Sequence, residues 1–428
     1  MTMSTALLTD HYELTMLQAG LRSGAARRQA VFEVFARHLP GGRRYGVVAG
    51  TGRVLDELER FRFGEEELTY LRENQVVDAP TLEFLADFRF SGNVYGYAEG
   101  DTYFPASPIM VVEGTFAEAV LLETLILSIL NHDCAIASAA SRMVNAAGTR
   151  PIIEMGSRRT HEWAAVAAAR AAYIAGFAST SNLMAGHRYG VPTAGTAAHS
   201  FILLHDSEQA AFEAQVASLG ETTTLLVDTY DVPAAVRTAV ELAGGGLGAV
   251  RIDSGDLAAA AQAVREQLDA LGAFSTRILV TSDLDEYAIA ALAAAPVDAY
   301  GVGTSLVTGS GVPTAALVYK LVAREDATGT MRPVAKRSVG KPSRGGRKRA
   351  FRMLDEAGAY ADTELITISG DAPDGGVPLL RELVRDGAVV GREPLTAARD
   401  RHREAVALLP QDALHLGRGY AAIPTEFA

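Results

Sequence analysis

The middle of the chain repeats one pattern, and this pattern limits the folds that the chain can adopt. Short apolar runs end in polar residues, and alanine-rich helical stretches follow them. The strand-like runs are Pro151–Glu154, Val191–Thr196, Thr224–Asp228, Ala249–Asp253, Arg277–Ser282 and Ala299–Val302. The helical stretches are Thr160–Ala175, Glu208–Ser218, Val232–Ala243, Leu257–Ala270 and Asp285–Ala294. This alternation predicts βαβ units with a parallel sheet, either an irregular (β/α) barrel or a doubly wound open sheet.

The two ends of the chain lack this alternation of strand-like and helical stretches. A chain of 428 residues is long enough for two domains. We predict an α/β fold in which residues 116–330 form an irregular (β/α) barrel that carries the active-site rim. Residues 1–115 and 331–428 are expected to pack together as one α/β domain formed from both chain ends.

Composition restricts the partners and the compartment. Lys and Arg number 39 against 51 Asp and Glu, a net charge of −12, which disfavours nucleic acid and anionic membranes as main partners. The apolar run Ala117–Leu130 is interrupted by Glu118 and Glu123 and is too short for a membrane span. The single cysteine, Cys134, excludes an internal disulfide and a cysteine-based zinc site. We therefore expect a cytoplasmic protein.

Polar residues close the strand-like runs, where parallel α/β proteins bind their ligands. They are Glu154 with Arg158 and Arg159, Thr196 with His199, Asp228, Arg251 with Asp253 and Asp256, Ser282 with Asp283, and Gly301, Gly303 and Thr304. Cations, carboxylates, one histidine and a glycine-rich turn at one rim suit a substrate with phosphates and a carboxylate, assisted by a divalent metal.

Each of these motifs also has a purely structural interpretation. Arg251 can hold a carboxylate while Asp253 reaches a ribose hydroxyl or a metal-bound water, or the two can pair with each other. The turn Tyr300–Thr304 can approach a phosphate, or it can simply begin a helix. His199 can be a nucleophile or a structural histidine.

A basic segment near the C-terminal end leaves alternatives open. Lys336–Arg352 contains eight Lys or Arg in 17 residues. A nucleic-acid patch, a phosphate-binding loop and a solvated surface all fit this composition. Phe351 is the one aromatic residue in the segment, which weakens the nucleic-acid interpretation.

Taken together, the motifs resemble the nicotinate phosphoribosyltransferase family over nearly the whole chain. The matching segments are Thr9–Met16, Gly156–Arg159, Ala178–Asn182, Gly195–Phe201, Arg251–Leu257 and Gly301–Thr304. The resemblance implies transfer of phosphoribose from phosphoribosyl pyrophosphate to nicotinate, driven by ATP hydrolysis, in NAD salvage. It also implies the type II phosphoribosyltransferase fold, Mg²⁺ accompanying the pyrophosphate substrate, a homodimer, and no metal site that we can assign to protein ligands.

The resemblance assigns the acceptor site residue by residue. Tyr12 is implied to stack on the pyridine ring from the partner subunit, and Thr196 and Arg251 to bind nicotinate, with Arg251 pairing with its carboxylate. Many relatives have Phe where this chain has Met155, so the residue that faces Tyr12 across the ring stays open.

The remaining roles concern the phosphates and ATP. His199 is implied to be phosphorylated by ATP, Arg158 to contact phosphate or pyrophosphate, and Asp253 to face the ribose or metal. Gly303 and Thr304 are implied to hold the ribose 5-phosphate.

Three rival functions are considered. Nicotinamide phosphoribosyltransferases carry Asp where this chain has Ser181, so Ser181 favours the acid over the amide. Quinolinate phosphoribosyltransferases need no phosphorylated histidine, so the motif around His199 argues against them. A non-catalytic barrel that binds nucleotides or RNA through the basic segment is the rival from another class.

Overall fold

A computed structural model describes residues 4–336, 343–368 and 372–428. The chain divides into two compact units. The central unit comprises Ala139–Gly311, and the terminal unit comprises the residues up to Ser138 and from Val312 onward. Both ends of the chain therefore lie in one unit. In the part of the chain that the structure describes, no helix has the length and apolar character needed to span a bilayer.

The elements are numbered along the chain. The helices are α1 His11–Ser23, α2 Thr51–Arg60, α3 Glu65–Glu73, α4 Ala79–Ala86, α5 Phe116–Val120, α6 Glu123–Ala147, α7 Glu162–Ile174, α8 Leu183–Tyr189, α9 His199–Leu204, α10 Glu208–Leu219, α11 Val232–Leu242, α12 Leu257–Ala270, α13 Glu286–Ala291, α14 Thr304–Val307 and α15 Leu395–Ala407. Short 3₁₀ turns lie at Ala6–Leu8, Ala25–Arg27, Pro40–Gly42 and Gln411–Leu414.

The strands follow the same numbering. They are β1 Gln29–Ala36, β2 Gly46–Val47, β3 Asn93–Gly96, β4 Thr102–Tyr103, β5 Met110–Thr115, β6 Ile152–Glu154, β7 Ser179–Thr180, β8 Thr224–Leu226, β9 Ala249–Ile252, β10 Arg277–Val280, β11 Ala299–Val302, β12 Leu317–Glu325, β13 Met331–Pro333, β14 Arg349–Leu354, β15 Ala361–Thr367, β16 Val377–Pro378, β17 Arg381–Arg385, β18 Ala388–Val389 and β19 Thr425–Phe427.

The central unit is a parallel sheet that alternates with helices. Its six strands lie in the order β7-β6-β11-β10-β9-β8, and every pair of neighbours is parallel. The inner strands are mostly buried, and in β9 all four residues are buried. Because parallel strands leave the sheet at the same edge, the residues that follow them meet there. The predicted α/β fold class, with a barrel-like parallel sheet, is confirmed.

One predicted strand is wrong. The run Val191–Thr196 forms no named strand; Thr193 makes only an isolated bridge with Thr180. Pro192 has no N–H to donate to a ladder, and its carbonyl accepts from the Thr180 amide at 2.9 Å. The edge position next to β6 is instead taken by the two-residue strand β7.

The terminal unit is built around antiparallel sheets. A seven-stranded sheet has the order β13-β12-β1-β5-β3-β17-β18, and a four-stranded sheet has the order β16-β14-β15-β19. Strand β12 pairs with β1, placing Val34 opposite Tyr319. Residues 116–138 and 312–330 thus lie in the terminal unit, although the sequence-based division assigned them to a barrel over 116–330. The apolar pattern of β12 resembles that of a barrel strand. Its pairing partner, β1, is remote in sequence, so the local sequence does not indicate which sheet β12 joins.

Several basic side chains of the segment Lys336–Arg352 form ion pairs within the terminal unit. Lys348 is buried and contacts Glu33 at 2.6 Å, and Arg352 contacts Glu364 at 3.0 Å. Arg347 forms a third ion pair, with Glu113. Residues 337–342 of this segment, including Lys341, lie outside the described residues. Part of the segment is therefore internal structure rather than a free cationic surface.

Candidate active site

A polar pocket of about 200 Å³ lies at the carboxyl edge of the central sheet. It is lined by residues near the ends of β9 and β11 or in the segments after β6, β9, β10 and β11: Met155, Arg158, Arg159, Arg251, Asp253, Thr281, Ser282, Asp283, Gly301, Gly303 and Thr304. Each of these strands leaves the sheet at the same edge, which is why residues distant in sequence converge here.

Arg251, near the end of β9, is the buried cation of this pocket, with 8% of its surface exposed. Its Nε donates to the Thr281 hydroxyl at 2.9 Å and its Nη2 to Asp253 Oδ1 at 3.0 Å. Its Nη1 donates to Thr196 Oγ1 at 2.9 Å and to the carbonyl oxygen of Ala197 at 3.2 Å. A guanidinium has five N–H groups, so among the described residues these contacts leave one Nη2 N–H without a protein partner.

Asp253 connects the arginine to the histidine of the site. Its Oδ2 lies 3.8 Å from His199 Nε2, while its Oδ1 accepts from Arg251 and from the Thr281 hydroxyl. Burial acts to raise the pKa of the Asp253 carboxyl, but the Thr281 hydrogen bond and the Arg251 charge outweigh it and hold the pKa below its ordinary value. The carboxylate is therefore ionised. The following helix α12 is capped by Asp256, not by Asp253.

His199 begins helix α9, and 40% of its side chain is exposed. Its Nδ1 lies 3.0 Å from the hydroxyl of Thr229, and its Nε2 lies 4.0 Å from Asp228 Oδ1. Asp228 fixes the neighbouring loop because its Oδ2 accepts from the Asp253 amide at 2.8 Å. Within the described part of the chain, Asp228 Oδ1 is buried and accepts no hydrogen bond. An exposed imidazole thus faces two carboxylates.

The loop after β6 presents two exposed arginines. The buried carboxylate of Glu154 accepts hydrogen bonds from the Thr180 hydroxyl and the Gly156 amide, and burial raises its pKa. A Cβ on Gly156 would lie 2.3 Å from Val307 Cγ1, so this close approach requires glycine. Arg158 and Arg159 follow directly and line the pocket.

The turn after β11 lies beside the loop after β6, since the two strands are neighbours and a Cβ on Gly303 would lie 3.2 Å from the Met155 carbonyl oxygen. Gly303 is the N-cap of the short helix α14, and Thr304 is its first, exposed residue. Ser181, after β7, is exposed, and its amide donates to the Glu154 carbonyl at 2.8 Å. Gly303 and Thr304 line the same pocket as Arg158.

Tyr12 belongs to the terminal unit. It lies in the first turn of α1, whose N-cap Asp10 accepts from the Tyr12 amide at 3.4 Å. Its surface is 42% exposed. Burial of part of the ring, with Glu123 and Glu13 nearby, raises the pKa of its hydroxyl, so the phenol stays neutral.

The structure thus brings most of the predicted residues together. Arg158, Arg251, Asp253, Gly303 and Thr304 line one pocket. Thr196 and His199 join the cluster by their contacts with Arg251 and Asp253. Ser181 connects to it through the backbone of β6.

Sequence reasoning missed two hydroxyls. Thr281 contacts both Arg251 and Asp253, and Thr229 contacts His199. Each follows a strand and stands beside an acidic residue already noted, Asp283 or Asp228, so position alone offered a signal. Ser282 has φ 135°, an uncommon value for a residue with a side chain. Across the described residues, no group of three His, Cys, Asp or Glu side chains is arranged to hold a metal ion.

Comparison with known proteins places this site in a class. Residues 7–131 match the family model of the nicotinate phosphoribosyltransferase N-terminal domain, and residues 136–311 match that of the quinolinate phosphoribosyl transferase C-terminal domain. The two matches define the class as a phosphoribosyltransferase of the nicotinate and quinolinate type.

Full-length relatives then specify the family. A nicotinate phosphoribosyltransferase of Mycobacterium tuberculosis is 58% identical over 98% of this chain and 94% of its own length. One of Bacillus subtilis is 37% identical over 85% of this chain and 76% of its own. The crystal structure of human nicotinic acid phosphoribosyltransferase superposes with a TM-score of 0.84 at 26% identity, covering 98% of this chain and 97% of that one. The chain belongs to the nicotinate phosphoribosyltransferase family and is an enzyme of that family.

Proposed function

We propose that the enzyme transfers the phosphoribosyl group of phosphoribosyl pyrophosphate to the ring nitrogen of nicotinate. The products are nicotinate mononucleotide and pyrophosphate. The observation that carries this proposal is the pocket in which a buried Arg251 lies together with the exposed Arg158 and Arg159. A substrate that bears both a carboxylate and phosphates needs cations fixed at separate points, and this pocket has them.

Arg251 and Thr196 bind the nicotinate carboxylate in this proposal. The Nη2 N–H of Arg251 that is left over donates to one carboxylate oxygen. Thr196 accepts from Arg251 Nη1 and donates its hydroxyl proton to the Ala197 carbonyl oxygen at 3.4 Å, and this proton turns to the second carboxylate oxygen when nicotinate binds. Ser181 is neutral and does not repel the acid. The pyridine ring is stacked by the partner subunit's Tyr12, and the exposed ring of Tyr12 is suited to that role.

The transfer itself needs no general base. The lone pair of the ring nitrogen attacks C1 of the ribose, the bond from C1 to the pyrophosphate oxygen breaks, and pyrophosphate leaves with that electron pair. The charge that grows on the leaving group is stabilised by Arg158 and Arg159. Gly303 and Thr304 hold the 5-phosphate, and Asp253 faces the ribose. Mg²⁺ is part of the substrate here, carried by the pyrophosphate.

ATP is coupled through His199. A ring nitrogen attacks the terminal phosphorus of ATP, the bond to the bridging oxygen breaks and ADP leaves; water later cleaves the P–N bond and releases phosphate. Positive charge that develops on the ring is compensated by Asp228 and Asp253, at 4.0 and 3.8 Å from Nε2. Asp253 also forms an ion pair with Arg251. Charge added at His199 therefore acts through Asp253 on Arg251, which binds nicotinate.

We also propose a pathway, a compartment and an oligomeric state for the enzyme. Its product is a pyridine mononucleotide, so we place it in the salvage of NAD, as a cytoplasmic homodimer. The family resemblance supports the dimer and the pathway, and a single buried cysteine is compatible with a reducing compartment.

A comparison of acceptors tests the function. Purified enzyme is given phosphoribosyl pyrophosphate and Mg²⁺ with nicotinate, nicotinamide or quinolinate, with and without ATP, and pyrophosphate release is measured. Strong ATP-stimulated release with nicotinate, and only weak release with nicotinamide or quinolinate, is expected. Preference for nicotinamide would show that Ser181 does not select the acid, and no release with any of the three would refute the proposal.

A further inference from the structure

Thr281 contacts both members of the Arg251–Asp253 ion pair. It follows strand β10 directly, and 3% of its surface is exposed. Its hydroxyl oxygen accepts from Arg251 Nε at 2.9 Å, and its proton is donated to Asp253 Oδ1. This one buried hydroxyl therefore donates its proton to the carboxylate and accepts a hydrogen bond from the guanidinium of the ion pair.

The packing of its methyl group fixes the direction of that hydroxyl. A Cβ built on Gly301 would lie 2.5 Å from Thr281 Cγ2, so the methyl group occupies the space that glycine leaves on β11. The three substituents of a threonine Cβ are staggered, and a methyl group held in one position determines where the hydroxyl points. The rotamer of Thr281 is thus set by the neighbouring strand, independently of the ion pair.

The Nε contact in turn orients the plane of the guanidinium. Nη1 is held by Thr196 and Ala197, Nη2 by Asp253 and Nε by Thr281. Removing the Nε contact takes away one of the four hydrogen bonds that orient the planar group and so loosens the position of the Nη2 N–H that the substrate uses. It also takes from Asp253 the donor that helps to keep it ionised.

We propose that Thr281 is a positioning residue that sets the enzyme's affinity for the carboxylate of a planar aromatic acid, acting through Arg251. This inference rests on the proposed function, in which Arg251 binds that carboxylate. It assigns to Thr281 an effect on KM for the acid and on the preference for nicotinate over nicotinamide, with little effect on the transfer step.

The test replaces the hydroxyl with a methyl group of similar size. We expect Thr281→Val to raise KM for nicotinate about 10-fold, as loss of a hydrogen bond to a charged group does, with kcat within about 3-fold of wild type. Thr281→Ser keeps the hydroxyl but loses the methyl group that directs it, so its KM for nicotinate is expected to lie between those of wild type and Thr281→Val. Thr276→Val is the matched control, because Thr276 precedes the same strand, is 1% exposed and donates to the Leu247 carbonyl at 3.0 Å.

Two outcomes would overturn the positioning role, and a third would refute the proposed function. A Thr281→Val enzyme whose KM for nicotinate equals that of Thr276→Val, with both merely less thermostable, would overturn the positioning role. An equal rise in KM for nicotinate and nicotinamide would do the same. If Thr281→Val does not fold, Thr281→Ala is measured in its place with the same expectation. Failure of the wild-type enzyme to use nicotinate would instead refute the proposed function.

Discussion

Replacing Arg251 with alanine separates the acid from the amide as acceptor. The change removes four hydrogen bonds, to Thr281, Thr196, Ala197 and Asp253, and the one N–H that we assign to the substrate. A charge-assisted hydrogen bond is worth about 1.5–3 kcal/mol, which predicts a rise in KM for nicotinate of about 10- to 150-fold. A carboxamide keeps a hydrogen bond to the charged guanidinium but lacks the opposite charge, so its KM is expected to rise by at most about 10-fold, the lower end of that range.

Steady-state pyrophosphate release with both acceptors measures the difference. The matched control is Arg265→Ala, which removes a guanidinium bound to Asp269 and to the carbonyl oxygens of Thr276 and Ala273 away from the pocket. The control is expected to lower the thermal midpoint and to leave both KM values unchanged. If Arg251→Ala raises the two KM values by the same factor, the assignment of Arg251 to the carboxylate is refuted.

Three further predictions concern the histidine and two buried acids. His199→Ala is expected to lose the ATP-stimulated part of turnover and all labelling by γ-³²P-ATP while some ATP-independent transfer remains; equal loss of both activities would contradict the phosphohistidine role. Burial raises the pKa of Glu13 from 4.5 to about 7, so wild-type stability falls as pH rises between these values, by about 3 kcal/mol for the full shift. Glu13→Gln should therefore raise the thermal midpoint at pH 8 and much less at pH 5, and an equal gain at both would count against this. Lys348→Met leaves Glu33 buried without its partner and should lower the free energy of unfolding by about 3–5 kcal/mol. Adding Glu33→Leu removes the unpaired charge and is expected to recover this loss. A double variant that stays as unstable as Lys348→Met would contradict the prediction.

The periodic part of the fold could be predicted from the sequence. Five of the six apolar runs contain strands, and all five predicted helices in the central unit are present, because buried parallel strands and amphipathic helices have local signatures. The run Val191–Thr196 failed since its apolar character belongs to a loop anchored at Thr180. Assignment of β12 to the terminal unit depends on pairing with β1, which lies almost 300 residues earlier and leaves no local trace.

The sequence allowed the residues of the site to be predicted from their positions at strand ends, but not the contacts between them. The rule that ligands bind at the carboxyl edge selected Arg251, Asp253 and His199. It did not show that Asp253 lies between the other two, because this depends on the register of β9 and on where α9 begins. The contribution of Thr281 depends on the missing side chain of Gly301, a relation between two strands that no single segment contains.

A crystal structure of the enzyme with bound nicotinate would show whether Arg251 binds the carboxylate. We predict one carboxylate oxygen of nicotinate within about 2.7–3.2 Å of Arg251 Nη2, the other near the Thr196 hydroxyl, and the ring nitrogen directed toward the Arg158 side of the pocket. A nicotinate whose carboxylate binds Arg158 or Arg159 instead, with Arg251 still enclosed by its protein partners, would contradict it.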